Sequence, residues 1–219
     1  MTLYPLKRPR TLTEQAADAI RARIVNGDFQ LGEALSEITL AAELGVSKTP
    51  VREAFLQLKN EGLVDIQPQR GTFVFQMSSD QIRQLTVLRE LLEAEALRIA
   101  MRVNHKQLAD MLNGVVARMA DAVAADQVRT YRALDNEFHQ HIIMGCRNQF
   151  IEAAYSSIAF RVQALRNRLS LQPSQNDRSL GEHRELAEMI TSGDVERAAT
   201  GLVNHIGVTL REYTGLVEG

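Results

Sequence analysis

Residues 43–53 read ELGVSKTPVRE, and the organisation of the amino-terminal third follows from them. Gly45 stops one helix, Val46-Ser47 make a tight turn, and the next helix opens at Lys48. Pro50 falls in the first turn of that second helix, where its missing N–H costs little. Two helices joined through a short Gly-containing turn cross steeply, which is a helix-turn-helix. Upstream, Ser36 caps a helix whose Ile38, Leu40, Ala41 and Leu44 share one stripe. Downstream, Val51, Ala54, Phe55 and Leu58 place the inward face of a helix over 48–60. The spacing of Ala16, Ala17, Ile20 and Ile24 predicts a first helix over 14–26, capped by Thr13 and ended by Gly27, and Phe29–Leu35 reads as an extended connection. Leu63–Gln67 and Thr72–Gln76 read as short strands, with Pro68-Gln69-Arg70-Gly71 as the tip between them. Residues 1–76 therefore predict a winged helix-turn-helix, with the helix-turn-helix at 36–55 and a small β-hairpin wing.

From Ser79 onwards strand signals stop. The periodicity predicts six helices, over 80–103, 105–125, 128–145, 148–171, 178–192 and 194–216. The expected fold is mainly α, with a linker at 77–79 and an all-helical carboxy-terminal bundle over 80–219. The 219 residues are 45% hydrophobic and 24% charged, which excludes wholesale disorder. A single cysteine, Cys146, excludes a disulfide framework or a Cys-rich zinc module. No apolar run approaches the ~18 residues of a membrane-spanning helix, and the amino terminus has no secretory h-region. A cytoplasmic protein without a membrane partner is expected.

Net charge is −2, and residues 1–76 hold nine basic and nine acidic side chains. Any affinity for nucleic acid must therefore come from where the charges lie. Lys48, Thr49 and Arg52 stand in the first turns of the second helix of the motif, which is the part that enters a major groove. Lys and Arg there reach guanine or phosphate, and Thr49 reaches phosphate. Arg70 with Gly71 suits the tip of a wing, and Arg10, in the stretch Lys7-Arg8-Pro9-Arg10, suits a phosphate contact. The acids Glu37, Glu43 and Glu61 lie on other segments, so the predicted surface is basic and fits a double-stranded operator.

In the helical part, Asp135 and His139 are i and i+4 in LDNEFHQHII and share one helix face. His183 lies in the row of Leu186, Ala187 and Ile190, and His205 sits beside Leu202 and Ile206. An inward histidine is ordinarily a hydrogen-bonded core residue; three of them with a carboxylate are also a donor set for Zn, Ni, Mn or Fe. His141, on the far side of its helix, and His105, at a helix start, are set aside as ordinary surface or capping histidines.

Residues 12–76 resemble the DNA-binding domain of the GntR family of bacterial transcription regulators. The resemblance is carried by Leu35-Ser36-Glu37, Leu40-Ala41, Leu44-Gly45-Val46-Ser47, Thr49-Pro50-Val51-Arg52-Glu53-Ala54, Glu61-Gly62-Leu63 and Arg70-Gly71-Thr72. Two departures stand out: Lys48 where the family usually has Arg, which changes bidentate guanine readout, and Ile38 where many members carry Arg. Residues 80–211 resemble the FCD effector domain of the FadR-like subgroup, through Leu88-Arg89-Glu90, Leu92-Glu93, Asp135 with Phe138-His139, Asn148, Glu182-His183, and Ala198 with His205. The resemblance implies that Asp135, His139, His183 and His205 hold a divalent metal. It also implies that a small carboxylate effector binds nearby, with Arg89, Asn204 and Arg161 as the candidate contacts. For Arg89 and Asn204 the plain alternatives are a surface pair with Glu93 and a solvated amide. The function these readings imply is a ligand-responsive, homodimeric, DNA-binding transcription regulator that is not an enzyme. A metal-dependent hydrolase, or an architectural DNA-binding dimer without an effector, are the alternatives.

Overall fold

The structure is a computed structural model that describes residues 9–169 and 173–217, and for 173–174 and 209–217 the backbone only. Residues 1–8, 170–172 and 218–219, which the sequence reading includes, lie outside it. The chain forms two compact units, Met1–Gln76 and Met77–Gly219.

In the first unit, α1 (Leu12–Asn26), α2 (Glu37–Leu44) and α3 (Lys48–Asn60) surround a core of Ala17, Ile20, Ile24, Val51, Ala54, Phe55 and Leu58. The cap of α1 is Thr11, not Thr13. Thr11 and Glu14 form a capping box, each side chain accepting from the other's backbone N–H. Thr13 Oγ1 instead donates to Glu53 on α3 at 2.6 Å. The wing, β2 (Val64–Gln67) and β3 (Gly71–Val74), gains a strand that the sequence reading left as a connection. β1 (Ala34–Leu35) pairs antiparallel with β3, giving the order β1-β3-β2. Two residues are too few to show alternation. The pairing buries Leu35 against the helices and fixes where α2 begins.

The second unit is all helix among its described residues. α4 (Ser79–Ala124) runs through both predicted first helices and kinks at Asn104, whose backbone leaves helical geometry (φ −159°, ψ 78°). The Asn104 side chain caps the second half by accepting from Gln107 N–H at 3.2 Å. α5 (Val128–Gly145), α6 (Gln149–Leu169), α7 (Pro173–Ser192) and α8 (Val195–Val217) follow. α7 starts several residues ahead of the predicted 178, because Pro173 serves as a first-turn residue. α4 packs along α5, α7 and α8, closing on Leu97, Leu112, Met119, Phe138, Ile142, Leu186, Ile190 and Leu202.

Gly45 has a left-handed backbone (φ +67°) at the end of α2, and its N–H and that of Val46 satisfy the last carbonyls of the helix. No atom lies within 4 Å of where its Cβ would stand. A Gly45→Ala exchange meets only backbone strain, so it is expected to cost about 1–2 kcal/mol. Chemical denaturation of the first transition of the full chain measures it; an unchanged midpoint would contradict the left-handed turn.

Candidate metal centre and nucleic-acid interface

α5 supplies the centre of the second unit. Its inward row includes Tyr131, Asp135, Phe138, His139 and Ile142, and the helical repeat places the Asp135 and His139 side chains over one spot. His183 comes from α7 and His205 from α8. All four are buried, and their ligand-type atoms lie within 4.8 Å of one another. The rings pack at centroid distances of 4.5 Å for His183–His205 and 5.5 Å for His139–His205. The structure thus brings together the four residues that sequence spacing had placed on three separate helices.

Each imidazole has one nitrogen engaged on its outer side. His139 Nδ1 lies 2.6 Å from Glu93 Oε2, His183 Nδ1 lies 2.7 Å from the Ser179 carbonyl, and His205 Nδ1 lies 2.8 Å from Glu182 Oε2. Those partners only accept, so Nδ1 donates in each case and Nε2 keeps its lone pair. His183 Nε2 is buried without a hydrogen-bond partner, 3.3 Å from Asp135 Oδ1. An orphan nitrogen and a carboxylate converging on one point, backed by outer acceptors, fit a divalent cation. Three imidazoles and one carboxylate suit Zn, Ni, Mn or Fe alike.

Arg89 and Glu93 do not form a surface pair: they are 4% and 0% exposed. Arg89 Nε donates to Glu93 Oε1 at 2.6 Å, Tyr155 Oη donates to the same oxygen at 3.1 Å, and Arg89 Nη2 reaches His139 Nε2 at 3.2 Å. Burial opposes ionisation of Glu93, but Arg89 and His139 outweigh it and hold its carboxyl far below the usual range. Asp135 behaves alike: burial opposes its charge, and the charge of Arg166 overcomes that and holds its carboxyl well below the usual range. Burial dominates for the imidazoles. His139 is pushed down to about 3, with Glu93 offsetting only part of the desolvation. His205 falls well below its ordinary value through burial and the neighbouring His183.

Beside the cluster is a small cavity of about 50 Å³, walled by Tyr131, Arg132, Asp135, Arg166, Asn176 and His205 among others. Arg166 is 7% exposed; its Nε stands 3.3 Å from Asp135 and its Nη2 donates to Asn136 at 3.3 Å, while Nη1 has no hydrogen-bond partner. Two of the expected effector contacts do not line this cavity. Asn204 is exposed on α8 and does not line the cavity. Arg161 is one turn and more away along α6, its Nη2 donating to the Ser157 carbonyl at 3.1 Å. Arg166, Arg132 and Tyr131 stand at its wall instead. Their signal was present in the sequence: Tyr131, Arg132 and Asp135 lie within four residues on α5, and Arg166 interrupts the apolar row of α6.

In the first unit, Lys48, Thr49 and Arg52 are all exposed on α3, opposite Val51, Ala54, Phe55 and Leu58. Arg70 is exposed at the wing tip, between Gln69 (φ +64°) and Gly71 (φ +115°), with open space around Gly71. Arg10 pairs with Asp18 at 2.6 Å on the surface. The acids are not all remote, however. Glu37 accepts from Arg52 Nε at 3.0 Å and Nη2 at 2.8 Å, because the steep crossing puts the first turn of α2 beside that of α3. The Arg52 hydrogen bond holds Glu37 below its ordinary value.

The comparisons with known proteins agree with this geometry. The family model for bacterial regulatory proteins of the gntR family matches residues 12–74, and the FCD domain model matches 84–208. The "Probable D-xylose utilization operon transcriptional repressor" of Paenarthrobacter nicotinovorans is 28% identical, covering 91% of this chain and 88% of its own. The gluconate operon transcriptional repressor of Bacillus subtilis is 26% identical over 88% of this chain and 82% of its own. The fold is shared with Escherichia coli McbR/YncC, at 18% identity, a TM-score of 0.81, and 95% and 100% coverage.

The burial of His139 has a consequence for acid stability. Its folded value of about 3 lies below the ~6.5 of an unfolded histidine, so between those limits only the unfolded chain takes up the proton, and stability falls as pH falls. The lowered Asp135 and Glu93 carboxyls act in the same direction at more acid pH. Denaturation midpoints of chelator-treated protein are expected to drop steadily from pH 7 to 5, and His139→Gln to flatten that slope. Equal slopes in both proteins would refute the buried, neutral imidazole.

Proposed function

The chain belongs to the GntR family of bacterial regulatory proteins, with an FCD domain behind its winged helix, and from that premise we propose that it is a homodimeric repressor that releases its operator in response to a small organic acid. It is a transcription regulator and not an enzyme, as its relatives are by name; the hydrolase alternative falls with that. α3 enters the major groove of a two-fold operator, with Lys48, Thr49 and Arg52 towards it, and Arg70 and Gly71 follow at the wing. Arg10 is a further phosphate contact.

Asp135, His139, His183 and His205 hold a divalent metal, and the effector lies in the adjoining cavity. The observation that carries this reading is that one ligand-type atom from each of Asp135, His139, His183 and His205 lies within 4.8 Å of the others, with His183 Nε2 buried and unpartnered, while Glu93, the Ser179 carbonyl and Glu182 take the Nδ1 atoms. When bound, the ion supplies positive charge and open coordination positions at the cavity wall. The protein's own part is to hold Arg166 Nη1 and the Arg132 side chain at that wall, as donors for a carboxylate. Arg89, beneath His139, ties the site to α4. A relative named for a gluconate operon makes gluconate one of the first acids to try.

Elemental analysis of protein purified without chelator is expected to find close to one divalent metal per chain, and His183→Ala to find almost none. Thermal shifts with acetate, lactate, malonate and gluconate are expected to rise for at least one acid. Arg166→Gln should keep the metal and lose that rise. Metal-free wild-type protein that still responds to an acid would overturn the metal-linked pocket.

The two sites must be coupled for regulation to occur, since an effector shifts an equilibrium only by its differential affinity. A coupling of ~1–3 kcal/mol would change operator affinity ~5–150-fold. In operator titrations with and without the responsive acid, His205→Ala is expected to bind DNA as wild type does but to lose most of the response. An equal response in both proteins would exclude the cluster from the switch.

A further inference from the structure

The Arg52 guanidinium is 67% exposed on its side chain, yet it is not loose: Glu37 grips it through two parallel hydrogen bonds, Nε to Oε1 at 3.0 Å and Nη2 to Oε2 at 2.8 Å. A guanidinium has five N–H donors in one plane. This grip uses the edge that carries Nε and leaves the end-on edge, Nη1 with the second Nη2 hydrogen. That remaining edge still offers two parallel donors, which match the O6 and N7 acceptors of guanine. The grip also fixes the plane of the side chain, removing rotamer freedom before any DNA arrives. The Arg52–Glu37 pair is close to neutral as a unit, so its pull on the phosphate backbone is weak and what it offers a duplex is geometry.

Resting on the reading of α3 as the helix that enters the groove, we propose that Glu37 is a positioning residue that dedicates Arg52 to a guanine edge and keeps it off the phosphates. Glu37 thus determines specificity without touching DNA. It sits at the first position of α2, after the Ser36 cap, where a carboxylate is also favoured by the helix dipole. The two roles are separable by experiment, because loss of the dipole term weakens folding and leaves base preference alone. Lys48, the neighbouring cation, lacks a planar fork and contributes charge to this surface without a plane to orient.

The test uses the full chain and a duplex library of randomised inverted repeats, with the bound fraction sequenced at constant salt. For wild type, guanine is expected to dominate one position in each half-site, and Arg52→Ala to abolish that preference. Glu37→Gln should lower the same preference about tenfold, the discrimination of a good bidentate pair, with the other positions unchanged. On mixed-sequence DNA it should bind more tightly, with a salt dependence steeper by about one phosphate contact. Arg52→Lys, which keeps the charge but loses the fork, should match Glu37→Gln in base preference and serves as the control for folding of α2. If Glu37→Gln retains the full guanine preference while Arg52→Ala loses it, base reading stands and the positioning role is overturned. A loss spread evenly over all positions overturns it too. If Arg52→Ala changes no position, the reading of Arg52 falls and the role of Glu37 with it.

Discussion

Charge buried at the centre of the helical unit is the constraint on which that unit depends. Arg89, Glu93, Asp135, Arg166 and three imidazoles occupy space that apolar side chains would fill in an ordinary bundle. Taking one ion out of water costs about several kcal/mol even after relaxation. The cost is met only if each group has a partner at hydrogen-bond distance. Every element of the unit therefore contributes a partner: α4 gives Arg89 and Glu93, α5 gives Asp135 and His139, and α6 gives Tyr155 and Arg166. α7 gives Ser179, Glu182 and His183, and α8 gives His205. Replacing buried ion networks by well-packed apolar residues is often neutral or stabilising. Its presence signals function rather than stability.

The network also links α4 to the cluster. Arg89 lies between Glu93 on its own helix and His139 on α5. Glu93 holds that guanidinium on one side, and its carboxylate is in turn held by the Tyr155 hydroxyl.

A similar economy of charge governs the first unit. Its nine basic and nine acidic residues cancel, so a general electrostatic attraction to DNA is weak, and placement does the work. Arg21 is half hidden between Asp18 and Glu61, and Arg23 pairs with Glu43 and lies over Phe29. These cations hold α1 to its neighbours. Lys48, Arg52, Lys59 and Arg70 are exposed on the α3 and wing surfaces, and Arg52 is gripped by a carboxylate.

The sequence by itself determined the helix-turn-helix, the hairpin, the break at residue 77 and the four candidate ligands. Each rests on local rules: Gly45 and Gly27 need left-handed backbone, Pro50 needs a first turn, and an i, i+4 spacing puts Asp135 and His139 on one face. Only the tertiary structure decided what depends on residues far apart in the chain. The strand Ala34–Leu35 exists because β3 offers it an edge. Glu37 meets Arg52 because α2 and α3 cross, and Arg89 is buried because α5 and α6 close over it. Asn204, adjacent to a candidate ligand in sequence, faces away because one residue along a helix turns the side chain by ~100°, whereas Arg166, far off in sequence, arrives beside Asp135 because α6 packs there. Periodicity tells which face of a helix is inward; which partners wait on that face is set by packing, and packing is a property of the whole chain.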